Sequence, residues 1–220
     1  MKLKSTRSDR RIVRNRKALL NAAEKLVAEK GVERVTIEEI TETADLAKGT
    51  FYHYFKDKHE IARELALTIR REIRDQVGIA EQGIDDPAAQ VIAGVAVCLH
   101  TAVVSPTRAA VLSRMYSLWL SPEANKEFRL FKELEVGYRT GRFSAGDLPL
   151  AIVLTVGVVQ AGIVRALALA EWDAIRKLAL ALSESVLRAL GIRGSEAHAI
   201  AAKVIGRVFA NDFKAIAKHE

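Results

Sequence analysis

Two capping boxes, Thr36 with Glu39 and Asp57 with Glu60, bracket the stretch that most constrains this chain. In such a box the first side chain caps the helix start and the Glu reaches back to the cap's own N–H. Helices are therefore expected to begin after Thr36 and after Asp57, with Lys58 first in the latter. Ile37, Ile40 and Ala44 fall at i, i+3, i+7 and give the earlier helix one buried stripe. Asp45 follows where the chain must turn, and Asp tolerates the left-handed conformation better than most residues. A short helix from about Lys48 to Phe55 fills the gap before Asp57. This is helix-turn-helix spacing, with its second element placed to enter a major groove.

At roughly 100° per residue, Phe51 and Phe55 share one face of that second element, the face that packs inward. Opposite lie Gly49 and His53, with Thr50 beside them and Tyr52 and Tyr54 on the flanks. Hydroxyls and ring nitrogens on such a face reach phosphates and base edges, and aromatic bodies cover thymine methyls. Gly49 leaves room for close approach. A solvated, aromatic-rich surface helix would need none of this pattern.

The stretch and the helix before it resemble the DNA-binding domain of the TetR family of bacterial transcriptional regulators. The likeness runs from about Arg16 to Leu65: an Ala/Leu-rich first helix, Gly31, Val35-Thr36, then Lys48 through Phe55, and Lys58. The family's usual Tyr-Tyr-His-Phe is here Tyr52-His53-Tyr54-Phe55; Asp45 stands where Gly is usual, and Ala47 where a capping Ser is usual. Losing that Ser removes a cap worth ~1 kcal/mol. The resemblance implies DNA contacts from Thr36, Lys48, Gly49, Thr50, Tyr52, His53, Tyr54 and Lys58. It also implies an all-α protein, with an N-terminal helix-turn-helix domain and a C-terminal helical domain for ligand binding and dimerisation. The expected organisation is a basic arm at 1–15, the helix-turn-helix domain at 16–60, a connecting helix at 61–80 and the effector domain at 85–220.

Charge agrees with a polyanion partner. The first seventeen residues hold eight Lys and Arg against Asp9 alone, a net +7 that equals the net charge of all 220 residues. The remainder is thus neutral, and the partner is met mainly from the N-terminal side. That basic start lacks an apolar segment, so no secretory leader is expected, and a lone cysteine, Cys98, fits a reducing cytoplasm. Pro87 to Thr107 and Leu148 to Val164 carry no charge. Both are interrupted by polar residues, Gly or Pro, and read as buried helices rather than membrane spans.

Beyond a fourth helix at 58–77, further helices are expected at 87–104, 106–119, 121–139, 148–170, 173–190 and 195–217, with Trp172 in a loop. The helix at 148–170 is apolar nearly all round and must be covered on both sides. Val156, Ile163 and Leu167 on it, with Leu178, Leu182 and Val186 on the next, are the expected interface of a four-helix homodimer contact. Aromatic and Met residues around a few polar groups suit a small-molecule pocket. Cys98, Met115, Tyr116, Trp119, Phe128, Phe131 and Gln160 are its candidates, for an apolar or amphipathic effector.

No catalytic constellation, cofactor or metal site is expected. None of the five histidines has a carboxylate or Cys at ligand spacing, and there is no Gly-rich phosphate loop or nucleophile elbow. The expected function is a homodimeric, cytoplasmic repressor that binds a palindromic operator and is released by a small effector. The alternative is a ligand-independent DNA-binding or DNA-organising protein whose helical domain holds a partner.

Overall fold

A computed structural model describes residues 7–115, 129–210 and 213, and every regular element among them is helical. The chain divides into two compact units, residues 1–69 and 70–220.

In the first unit, α1 (Arg7–Lys30), a 3-10 turn (Val32–Arg34), α2 (Ile37–Thr43), α3 (Lys48–Tyr52) and the start of α4 (Lys58–Ala80) surround a small apolar core. Leu19, Ala23 and Val27 of α1, Ile40 of α2, Phe51 of α3, and Ile61 and Leu65 of α4 are buried in it. The box at Thr36 forms as its sequence dictates: Thr36 Oγ1 accepts from Glu39 N at 3.2 Å and Thr36 N donates to Glu39 Oε2 at 2.9 Å. At α4, Asp57 caps His59 and Glu60, while the Glu60 carboxylate reaches back to Lys56 N rather than to Asp57. Asp45 turns the chain with φ of 52°. The helix proper of α3 ends at Tyr52, short of Phe55, although Phe55 N still donates to Phe51 O at 3.0 Å.

In the second unit, α5 (Pro87–Val104) is the central helix, with α6 (Pro106–Arg114), α7 (Arg129–Arg139), α8 (Leu148–Leu169), α9 (Trp172–Ala189) and α10 (Gly194–Val208) packed on it. Its bounds match the sequence because both ends are marked: Asp86 caps Ala88 N, Pro87 opens the first turn, and Ser105-Pro106 stops the last. Arg142 grips Asp86 through two parallel 2.8 Å contacts and meets Glu196 at 2.8 Å, tying the starts of α5 and α10 to the loop after α7. That guanidinium holds the Asp86 carboxyl below its ordinary value.

Two glycines admit close approach. A Cβ on Gly162 of α8 would lie 2.8 Å from both Leu99 and Leu182. One on Gly137 of α7 would lie 2.0 Å from the ring of Phe143, which folds back over the helix. Besides that of α3, further boundaries differ from expectation, and α6 ends at Arg114 rather than 119. α4 continues to Ala80, α10 ends at Val208 rather than 217, and Trp172 is the first residue of α9 rather than a loop residue. Its indole packs edge-on against His100 and Phe209, with centroids at 5.5 and 5.6 Å. Tertiary contact, not local sequence, carries it into the helix.

Candidate DNA interface and effector region

The outward face of α3 is built from its inward one. Phe51 and Phe55 are buried with ring centroids 5.7 Å apart, and Arg16 of α1 covers Phe55 at 5.5 Å while pairing with Glu64. This fixes the helix about its axis. Thr50 is then half-buried, Tyr54 half-buried, His53 exposed and Tyr52 54% exposed. A Cβ on Gly49 would meet nothing within 4 Å, so the backbone here is bare to an approaching surface. Tyr52 rests its ring edge-on against Phe51 at 5.6 Å, which orients the phenol without burying it.

The charged candidates are more occupied than their sequence suggests. Lys48 pairs with Glu38 across α2 and α3, an exposed contact that raises the lysine's pKa and lowers the glutamate's, in each case chiefly through that hydrogen bond. Such surface pairs are weak and can be exchanged for a phosphate. Lys58 does not stand free at its helix start: its Nζ donates to Glu33 O at 2.7 Å and Val35 O at 3.2 Å. It fastens the 3-10 turn to α4, a structural task that a lysine at a helix start does not reveal by position. The Thr36 hydroxyl is used in its cap, where Lys30 and then Thr36 hold the Glu39 carboxyl down at about 2. Ala47 offers no side-chain cap to α3.

The first turns of α1 extend beyond the core. Residues 9–14 are all exposed, and Arg10, Arg11 and Arg14 share one face by helical spacing. The expected arm is therefore helical from Arg7 onward.

Among the effector candidates, Cys98 of α5 and Met115 after α6 are buried, and Phe131 of α7 is half-buried. Burial pushes the Cys98 thiol up to about 12, so it is un-ionised near neutrality. Gln160 of α8 donates to Ser113 O at 2.7 Å and Ser113 Oγ at 3.0 Å, joining α8 to α6. Tyr116, Trp119 and Phe128 lie outside the described residues.

The expected dimer residues separate into two groups. Val156, Ile163 and Val186 are enclosed by their own chain, at 7%, 2% and 0% exposure, and this corrects their assignment to a partner-facing surface. Leu167, Leu178 and Leu182 are half-buried. The open side of α8 is a different stripe: Leu150, Val153, Gly157, Ala161, Val164 and Ala168 recur every three or four residues, and the three larger ones are over half exposed. A sequence apolar all round could not say which side the monomer covers. His100, given no role from sequence, is ringed by Trp172, Phe209 and Phe213, and burial lowers its pKa to about 4.

Residues 19–65 match the model for bacterial regulatory proteins of the tetR family. Residues 86–203, more than half of the chain, match the tetracyclin repressor-like C-terminal domain. The chain belongs to the TetR family. Among curated relatives, the transcriptional regulator BetI of Rhizobium meliloti (strain 1021) is 28% identical over 102 residues, 46% of this chain and 50% of that protein. The chain spans half or less of the length of the curated relatives it matches. Among solved structures, RolR in complex with resorcinol is 28% identical, with a TM-score of 0.52 over 88% of this chain and 96% of that one. A TetR-family regulator from Marinobacter aquaeolei VT8 shares the fold at 17% identity, with a TM-score of 0.67 over 82% and 97%. This chain thus carries the helix-turn-helix of a family of bacterial regulatory proteins, and its regular elements among the described residues are all helical.

Proposed function

We propose that this TetR-family protein is a cytoplasmic, non-enzymatic repressor that binds a palindromic operator as a homodimer and lets go when a small uncharged effector enters its second unit. The observation that carries the DNA half is the face of α3: Gly49, Thr50, Tyr52 and His53 stand outward because Phe51 and Phe55 are locked inward. Tyr52, His53 and Thr50 read base edges, while Lys48 exchanges Glu38 for a phosphate and the arginines of α1 supply sequence-independent attraction. Lys58 contributes by holding the turn before α2.

The dimer reading is supported by the open apolar stripe of α8, since contiguous exposed apolar surface on a soluble protein marks an interaction site. Its small residues, Gly157 and Ala161, let a second α8 come close. The effector reading is supported by the likeness to RolR, a protein solved with resorcinol, and by the absence of charged residues from Pro87 to Thr107 on the central helix. A neutral, partly aromatic molecule suits such walls.

Selection of duplexes from a random pool should return an inverted repeat, bound by two chains. Tyr52→Ala should then weaken binding to that repeat by ~1–3 kcal/mol while scarcely changing binding to unrelated DNA. Equal loss on both DNAs would remove Tyr52 from base reading. Resorcinol serves as the first effector probe: a raised melting temperature together with operator release supports the second half. A panel of neutral aromatics and lactones that raises melting without releasing DNA would overturn it.

A further inference from the structure

Two carboxyl groups are buried where α4 ends. Glu81, the residue after α4, has a side chain 3% exposed, and Glu133 of α7 one 8% exposed. Arg129 of α7 serves both: it pairs with Glu81, and its Nε lies 3.6 Å from Glu133 Oε1. One oxygen on each side, Glu81 Oε1 and Glu133 Oε2, is buried with no hydrogen-bond donor. Buried acceptors without donors are costly, and two ionised carboxyls facing one guanidinium leave a negative charge uncompensated. A single proton resolves both problems, because a protonated carboxyl donates to its neighbour and the arginine then balances the remaining charge.

We propose that Glu133 keeps a proton that it donates to Glu81, and that the pair forms a latch pinning the end of α4 to α7, so that alkaline medium loosens this end and weakens operator binding. The coupling to operator binding rests on the function proposed above; the latch itself does not. Arg207 of α10 also meets this end of α4, donating to Gln82 O at 2.8 Å and Ile79 O at 3.4 Å, while Asp85 is exposed and Asp86 is taken up by Arg142. Lys132 on α7 is exposed, α5 brings no charge, and α8 has none before Arg165. Glu133 is the group that yields. Burial, followed by the neighbouring Glu81 carboxyl, raises its pKa from the ordinary carboxylate range to about 8.

The sign follows from that direction. A carboxyl whose pKa is raised in the latched state keeps a proton that the solvated state has already released. The latch is therefore fully closed at and below the ordinary carboxylate range, and weakens as pH rises from there through about 8. α4 runs as one helix from the unit that holds α3 into the unit that holds the latch. A freed end thus alters a helix that the DNA-binding unit shares.

The test follows melting temperature and operator affinity of the full chain from pH 6 to pH 9, with carboxyl-carbon NMR of labelled Glu. In the wild type, one buried Glu should titrate near the upper part of this range. Melting should fall by several degrees and affinity severalfold toward pH 9. In Glu133→Gln the amide donates to Glu81 permanently, so both pH dependences should flatten, with the protein at least as stable as wild type at pH 9. If that variant does not fold, Glu81→Gln and the wild-type NMR titration decide alone. A Gln variant with the wild-type pH profile, or two carboxyls already ionised at pH 6, would overturn the latch. Melting that follows pH while no DNA is bound at any pH would overturn the function and leave the latch standing.

Discussion

α5 and α8 look alike in sequence and end in opposite circumstances. Both are long and apolar enough to cross a bilayer, yet 67% of the most apolar window of α5 is buried inside the protein and only 39% of that of α8. α5 is covered by five neighbouring helices, and its middle residues from Val95 to Ala102 are all buried. α8 turns Ala151, Thr155, Gly162 and Ala166 inward and leaves Leu150, Val153 and Val164 in the open. Composition tells how much a helix needs covering. It does not tell whether the cover belongs to the same chain. For α8, the uncovered half is the reason to look for a second subunit.

Four substitutions separate the two helices, in descending order of effect. Ile92→Asp on α5 places a carboxylate at a fully buried position with no partner, a loss of several kcal/mol, roughly the whole stability of a domain. The chain should be insoluble or unfolded by circular dichroism; a folded, operator-binding variant would show that α5 is less central than its burial indicates.

Val164→Arg on the open side of α8 should leave the monomer folded, with melting changed little, because the new side chain points to water. Association and operator binding should fall together, since an unpartnered charge buried between subunits costs several kcal/mol. Sedimentation that still shows a dimer would move the interface elsewhere, and the half-buried Leu178 and Leu182 of α9 would be next in line.

The finest distinction comes from two glycines whose Cβ would meet nothing within 4 Å, Gly94 on α5 and Gly157 on α8. Replacing either with Ala should stiffen its helix by about 0.5–1 kcal/mol. For Gly94→Ala this should appear as a higher melting temperature with unchanged dimerisation. Gly157→Ala should instead weaken the dimer, because the added methyl sits where a second α8 approaches. Identical behaviour of the two variants would argue that Gly157 faces only water.

Much of the fold was legible because its signals are local. Thr36-Glu39, Asp86-Pro87 and Ser105-Pro106 mark helix boundaries through hydrogen bonds and φ restrictions that involve only neighbouring residues. The face of α3 was legible because Phe51 and Phe55 leave one orientation. What escaped depends on distant partners. Lys58 reads the same whether it meets a phosphate or the carbonyls of Glu33 and Val35. Val156, Ile163 and Val186 lie on apolar stripes that suit the monomer's core as well as a partner's. Trp172 and His100 have no spacing relation, and only the packing of α9 and α10 against α5 unites their rings. Glu81 and Glu133 likewise sit in ordinary polar contexts along the chain.

The ring of Phe143 over Gly137 carries a consequence for descent. A Cβ at 137 would lie 2.0 Å from that ring, so the ring would have to move to admit it. The two positions are halves of one inherited choice: a lineage cannot acquire Ala at 137 while keeping Phe at 143 without passing through a damaged intermediate. Sister proteins should therefore change both sites or neither. A family tree on which these two columns switch on the same branches would record the contact without any structure having been solved.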